Sequence, residues 1–130
     1  MGGLLYLLVL NPIHCPWLAF FVAKVEKVRT ALMMHPKIQS ATHNMYGFRF
    51  TENGQTIADA NEDGEDGAER VMLFYLQVAQ PKNVFIMVSR WFGGILLGPQ
   101  RFQIISNAMK EGYNFCVNNE FKITGDYGFE

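Results

Sequence analysis

The chain has 130 residues, a formal net charge of −1, and a composition that is 49% apolar and 18% charged. That length fits one domain able to bury about two-thirds of its unfolded surface, and so balanced a charge excludes a whole-chain electrostatic pull on nucleic acid or anionic membrane. Two cysteines, Cys15 and Cys116, with neither a CxxC motif nor a partnering histidine spacing, make a poor disulfide framework and a poor zinc site, which predicts a reducing, cytoplasmic setting.

The first residues, MGGLLYLLVLNPIHCPWLAFFVA, are apolar, yet no Lys or Arg precedes Lys24 and Asn11-Pro12 and His14-Cys15-Pro16 interrupt the run. A signal peptide needs a charged start, and a membrane span needs a longer unbroken stretch. Residues 1–16 are therefore set apart as an atypical segment that forms short strands rather than an anchor. Trp17 to Val25 reads as a buried strand from its aromatic and branched residues. Val25, Val28 and Leu32 then follow helical spacing, and His35-Pro36 ends that helix. Thr42 to Thr51 alternates Met45, Gly47 and Arg49 against Tyr46, Phe48 and Phe50, which predicts a half-buried strand. Glu52-Asn53-Gly54 supplies a hairpin turn, with a return strand over Gln55 to Ala60.

Asp66-Gly67-Ala68-Glu69 has the pattern of a capping box opening a helix. Ala68, Val71, Tyr75 and Val78 mark the expected buried face, and Pro81 closes it. Asn83 to Ser89 is almost wholly apolar, as in a central strand covered by helices. Gly98 as N-cap and Pro99 at the first helical position launch a last helix, with Phe102, Ile105, Met109 and Gly112 inward and Gly112 as its stop. Phe115, Val117, Phe121 and Ile123 suggest an edge strand within 113–130. The sum is an α+β domain: a two-layer sandwich with a mixed sheet of four or slightly more strands and two or three helices on one face.

The run SRWFGGILLGPQRF, residues 89–102, is the most distinctive. Its GGxxxG spacing is followed by Pro-Gln rather than Lys-Ser, and Ile95, Leu96 and Leu97 fill the loop with apolar bulk, so it is not a phosphate cradle. Gly93, Gly94, Gly98 and Pro99 are structural turn residues. Arg90 and Trp91 either stack as a cation–π pair or serve recognition, where both types are over-represented. Between Thr51 and Glu69 lie seven acids and no base, whereas Val71 to Lys110 holds Lys82, Arg90, Arg101 and Lys110 and no acid. The acids lack the spacing of a Ca²⁺ loop and are assigned to the positive end of the helix near Gly67. No metal or cofactor is expected. His43 resembles a general base by residue type alone, and Lys82, Arg90, Trp91 and Arg101 make only a small basic patch for RNA.

ATHNMYGFRF, the EDGE at 62–65 and VSRWFGGILLGPQRF resemble the signature blocks of the Impact/YigZ family, in order and spacing, from about Lys37 to Tyr113. The Impact N-terminal domain is placed at 17–113, with 114–130 an extension or edge strand. The resemblance implies a fold like domain 2 of ribosomal protein S5. It also implies a regulator that competes for the activator of the amino-acid-starvation kinase and so limits phosphorylation of a translation initiation factor, with actin as a further partner. For bacterial members it implies nucleic-acid binding. Gly67-Ala68-Glu69-Arg70 departs from the family's small, glycine-rich stretch, and Glu62 replaces an Asp. Those changes obstruct any cleft that needs close backbone approach there.

The favoured expectation is a non-enzymatic protein-interaction module whose surface combines Arg90, Trp91, His43, Asn44, Asp63, Glu65 and Arg101. The alternative is an RNA- or ribosome-binding domain of the YigZ type. A hydrolase using His43 with Asp63 or Glu65 ranks third, because no complete catalytic constellation is visible.

Overall fold

A computed structural model describes residues 3–8, 18–91 and 98–118. In chain order the elements are β1 (Gly3–Leu8), α1 (Leu18–Met33), α2 (Pro36–Gln39), β2 (His43–Glu52), β3 (Gln55–Asn61), α3 (Ala68–Ala79), β4 (Asn83–Arg90) and α4 (Gln100–Asn118). The strands lie in the order β1-β4-β2-β3.

Every pairing is antiparallel, which corrects the expectation of a mixed sheet. The crossover through α3 does make β3 and β4 run the same way. β2 lies between them, however, and pairs antiparallel with both, so their parallel relation never becomes a ladder. The β2–β3 hairpin turns at Asn53 (φ 52°) and Gly54 (φ 76°). Two successive positive φ angles match the right-handed twist of the flanking strands, and Asn-Gly supplies them at low cost.

The sheet is buried on both faces rather than one. Val84, Ile86 and Val88 of β4 join Met45 of β2 under α3 and α4, with Met72, Leu76, Ile105 and Met109 closing that core. Phe85 and Met87 point the other way and join Phe48 and Phe50 under α1 and α2, with Val25 and Ile38. The unbroken apolar run of β4 follows directly, because each alternate residue must satisfy a different layer. β2 is likewise buried on both sides, not half-buried. Gly47 lies close under α3: a Cβ there would stand 3.2 Å from Leu76 Cδ1, so that side chain would have to give by a few tenths of an ångström.

The second layer comes from a segment expected to be a strand. Trp17 to Val25 was placed in the sheet, whereas Leu18–Met33 forms one helix. A short apolar run cannot by periodicity distinguish a buried strand from a buried helix, and length decides; here Val25, Val28 and Leu32 continue the same helix across the core. His35 accepts from the amide of Lys37 at 3.2 Å and starts α2 with Pro36 at its first position.

Two further corrections concern helix faces and ends. In α3 the fully buried residues are Ala68, Met72 and Leu76, with Val71 and Tyr75 at the flank and Val78 67% exposed. The helix is apolar on most sides, so spacing alone left its rotation undetermined. α4 passes through Gly112 and continues to Asn118, so that glycine is not a stop. The expected edge strand is helical over 113–118, and its remainder lies outside the described residues.

Met72→Ala should cost about 2–5 kcal/mol in urea denaturation, the range for emptying a packed core site, while Val78→Ala should stay within about 0.5 kcal/mol. The opposite order would mean that α3 packs by its other face. Burial pushes the Tyr75 phenol from 10.0 up to about 12, with Tyr113 adding to the rise. The fold favours the neutral phenol, so this contribution is complete below pH 10 and is lost as pH climbs through 12. A phenolate absorbance titration should show a tyrosine ionising near 12.

Candidate functional site

The polar residues singled out in the sequence converge where β2 begins, β4 ends, and the turn between β3 and α3 meets the start of α4. The β2–β4 register sets His43 opposite Arg90 and Asn44 opposite Ser89. The turn at 62–67 brings its acids against this strand pair. Asp63 (φ 45°) and Gly64 (φ 84°) adopt left-handed backbone, and that bend lays the turn across His43.

At the centre is Glu65, whose side chain is only 6% exposed. Its Oε2 pairs with Nη1 of Arg90, and its Oε1 lies 2.9 Å from Nε of Arg101. That second contact is an ion pair by distance, with the N–H not aimed along a hydrogen bond. Arg101 also donates to the carbonyls of Gly98 at 2.8 Å and Asp66 at 3.4 Å, and its guanidinium lies 4.3 Å from the Phe102 ring centre. A carboxylate withdrawn from water is tolerated only with such compensation. Three segments are thereby tied to one side chain.

His43 and Asp63 form the outer part. His43 Nδ1 lies 2.8 Å from the Asp63 carbonyl. A carbonyl only accepts, so Nδ1 carries the proton. Nε2 then faces Glu65 Oε2 at 3.9 Å, beyond hydrogen-bond range. The Asp63 carboxylate accepts from the Asn44 amide at 2.7 Å. The Asn44 side chain is buried, donating to the Ile38 carbonyl at 2.9 Å and accepting from the Ser89 hydroxyl at 2.6 Å. Trp91 is half-buried and its indole N–H donates to Ser40 Oγ at 3.0 Å.

The structure thus gathers Arg90, His43, Asn44, Asp63, Glu65 and Arg101, with Trp91 flanking them. Arg90 is turned inward, with 12% of its side chain exposed, and its guanidinium meets Glu65. The capping box is corrected. Gly67 (φ 90°) is the N-cap of α3 and offers no side chain; Glu62 reaches forward to accept from the amides of Gly67 at 3.0 Å and Glu69 at 3.5 Å. Gly67 must remain glycine, since a Cβ would lie 2.9 Å from Phe102 Cζ. Gly98 takes φ 59° and Pro99 leads into α4 one residue before the helix proper, whereas Gly93 and Gly94 lie outside the described residues. Glu62, Ser40, Ser89 and Phe102 were not singled out as partners. Only Glu62 carried a local signal, as an acid just ahead of a helix; the others meet the site through contacts distant in the chain.

His43 and Glu65 are close enough to invite an acid–base reading. The hydroxyl within the cluster, Ser89, is buried and already donates to Asn44, so it is not placed as a nucleophile. Among the described residues no group of His, Cys, Asp and Glu is arranged to hold a metal ion. Nor is any described helix long and apolar enough to cross a membrane. Cys116 falls in the last turn of α4 and Cys15 lies outside the described residues.

The described residues form an antiparallel α+β fold with a polar lock at one end of its sheet. The model of the Impact N-terminal domain matches residues 18–113. The chain is 41% identical over 117 residues to Protein IMPACT of Mus musculus, which covers 88% of this chain and 34% of that protein. It is 46% identical over 97 residues to a Protein IMPACT homolog of Dictyostelium discoideum, covering 74% of this chain and 28% of that protein. A solved structure described as that of the two-domain translational regulator Yih1 superposes with a TM-score of 0.51 at 27% identity, covering 87% of this chain and 41% of that one. The chain belongs to the Impact family. It spans about a third of the length of the curated relatives it matches.

Glu65→Gln keeps the shape but strands two guanidiniums, and should cost roughly 3–5 kcal/mol, the range for removing one member of a buried ion pair. Chemical denaturation in low and high salt measures this. A loss below about 1 kcal/mol would mean that the pair is effectively solvent-exposed.

Proposed function

We propose that the chain is a protein-interaction module of translational regulation, acting in the cytoplasm. One observation carries the reading: the Glu65–Arg90–Arg101 lock gathers His43 and Asp63 at one edge of the sheet, with the Trp91 indole beside them. A preorganised edge with a partly exposed indole is suited to docking, where rigidity lowers the ordering cost of binding. The Yih1 description as a translational regulator supports the setting. The finer reading is competition for the activator of the amino-acid-starvation kinase, on a fold akin to domain 2 of ribosomal protein S5, with actin as a second partner.

RNA or ribosome binding is the less favoured alternative. Arg90 and Arg101 are both engaged with Glu65, and Lys82 sits at the opposite end of β4. A patch so depleted would make few phosphate contacts.

Trp91→Ala should weaken capture of the purified kinase activator by at least about tenfold, the effect of losing an interface anchor, with circular dichroism unchanged. Undiminished capture by the folded variant would remove this surface from the reading. A steep fall of RNA affinity with salt in filter binding would instead favour the alternative.

A further inference from the structure

β3 is the outermost strand of the sheet, beyond β2. Its backbone directions follow from its neighbours. The Asn44 amide points to Asp63 on the β3 side, whereas the Thr51 amide points to Asn83 on the β4 side. Even-numbered groups of β2 therefore face β3, and by register they meet Gln55, Ile57, Asp59 and Asn61. The amides and carbonyls of Thr56, Ala58 and Ala60 consequently project outward. The Ala60 amide confirms this direction, because it is taken by the Asp59 carboxylate at 2.8 Å rather than by a strand.

An open edge is ordinarily blunted by proline, lysine, a bulge or a covering element. β3 runs seven residues, QTIADAN, with no proline and no lysine. Asp59 shields one amide; among the described residues those of Thr56 and Ala58 have no such guard. The side chains of Thr56, Ala58 and Asp59 are exposed. On the α1 face the surroundings are acidic, whereas on the α3 face Arg49 lies opposite Ala58. Burial and the charges of Glu26, Asp59 and Asp63 all raise the Tyr46 hydroxyl, opposed by Arg29 alone among the groups acting on it. Arg29 is itself 4.0 Å from Glu26 and 5.8 Å from the Tyr46 ring centre.

We infer that the outer edge of β3 accepts an extended, lysine- or arginine-bearing peptide segment as a further strand of the sheet. Main-chain bonds at Thr56 and Ala58 would hold the segment, and strand addition takes its specificity from alternate side chains. Basic side chains on the α1 face reach Asp59 and Asp63. Drawing Asp59 toward a cation also frees the Ala60 amide for a further ladder bond. Negative charge beside the edge repels acidic strands and a second copy of β3 alike, since each copy brings its own Asp59. This surface shares only Asp63 with the Trp91 edge, and the ladder at Thr56 and Ala58 stands or fails apart from the reading above.

The test uses the full chain and two synthetic ten-residue probes, one of alternating Lys and Val, the other of alternating Glu and Val, with amide hydrogen exchange read residue by residue. The Lys probe should slow exchange at Thr56 and Ala58 about tenfold or more, as ladder bonding does, and the effect should fade as salt rises toward about 0.5 M. Ala58→Pro removes an outward amide without touching the β2 ladder, a position where an edge strand tolerates proline; it should abolish the protection. If that variant does not fold, Asp59→Lys serves instead and should narrow the preference for the Lys probe over the Glu probe. Unchanged exchange, equal protection by both probes, or retained protection in folded Ala58→Pro would overturn the inference. So would protection that rises with protein concentration alone, which would make a second copy the occupant.

Discussion

The arrangement of this domain at its sheet end depends on one buried carboxylate. Glu65 sits between a guanidinium at the last residue of β4 and another in the first turn of α4. Its own backbone closes the turn, accepting from the Ala68 amide at 3.0 Å and donating to the Glu62 carbonyl at 2.9 Å. Moving Glu65 into water would release both arginines and loosen the turn that orients α3. Buried ion pairs contribute little net stability compared with apolar packing, but they strongly penalise any arrangement that separates their members. Here the effect is positional: one register between turn, strand and helix satisfies all three charges.

The acidic run is therefore a set of separate assignments rather than a diffuse negative field. Glu62 caps α3, Asp63 holds the Asn44 amide, Glu65 takes two arginines, and Asp59 covers an edge amide. These tasks follow from the fold, since each carboxylate meets a donor that the backbone or the basic segment would otherwise leave unpaired. What remains exposed is a patterned surface of indole, imidazole and carboxylate, next to a strand edge.

Some of this was legible in the residues. The helix over Ala68–Ala79, the hairpin at Asn53-Gly54 and the apolar strand before Arg90 all follow from local patterns, because turn chemistry and periodicity act within a few positions. Residues 43, 44, 63, 65, 90, 91 and 101 were grouped as a surface for a partner, yet their pairing with one another was hidden. Nothing near Arg90 in the chain indicates that its partner is 25 residues earlier. The rotation of α3, the helical state of Leu18–Met33 and the second helical layer were misread for a common reason. Each segment is apolar on more than one side, and an apolar residue does not specify which neighbour it meets.

The amino-acid sequence by itself determined the α+β class, the family, the sites of tight turns, and the separation of acidic from basic segments. Those properties depend on composition and on short-range backbone preferences. Only the tertiary structure decided that the sheet is sandwiched between helices, that Arg90 turns inward to Glu65 rather than outward to a partner, and that β3 lies at the edge of the sheet among the described residues. Each of those outcomes depends on which distant groups are brought close enough to share one desolvated space, and Coulomb attraction and packing act on that distance, not on separation along the chain.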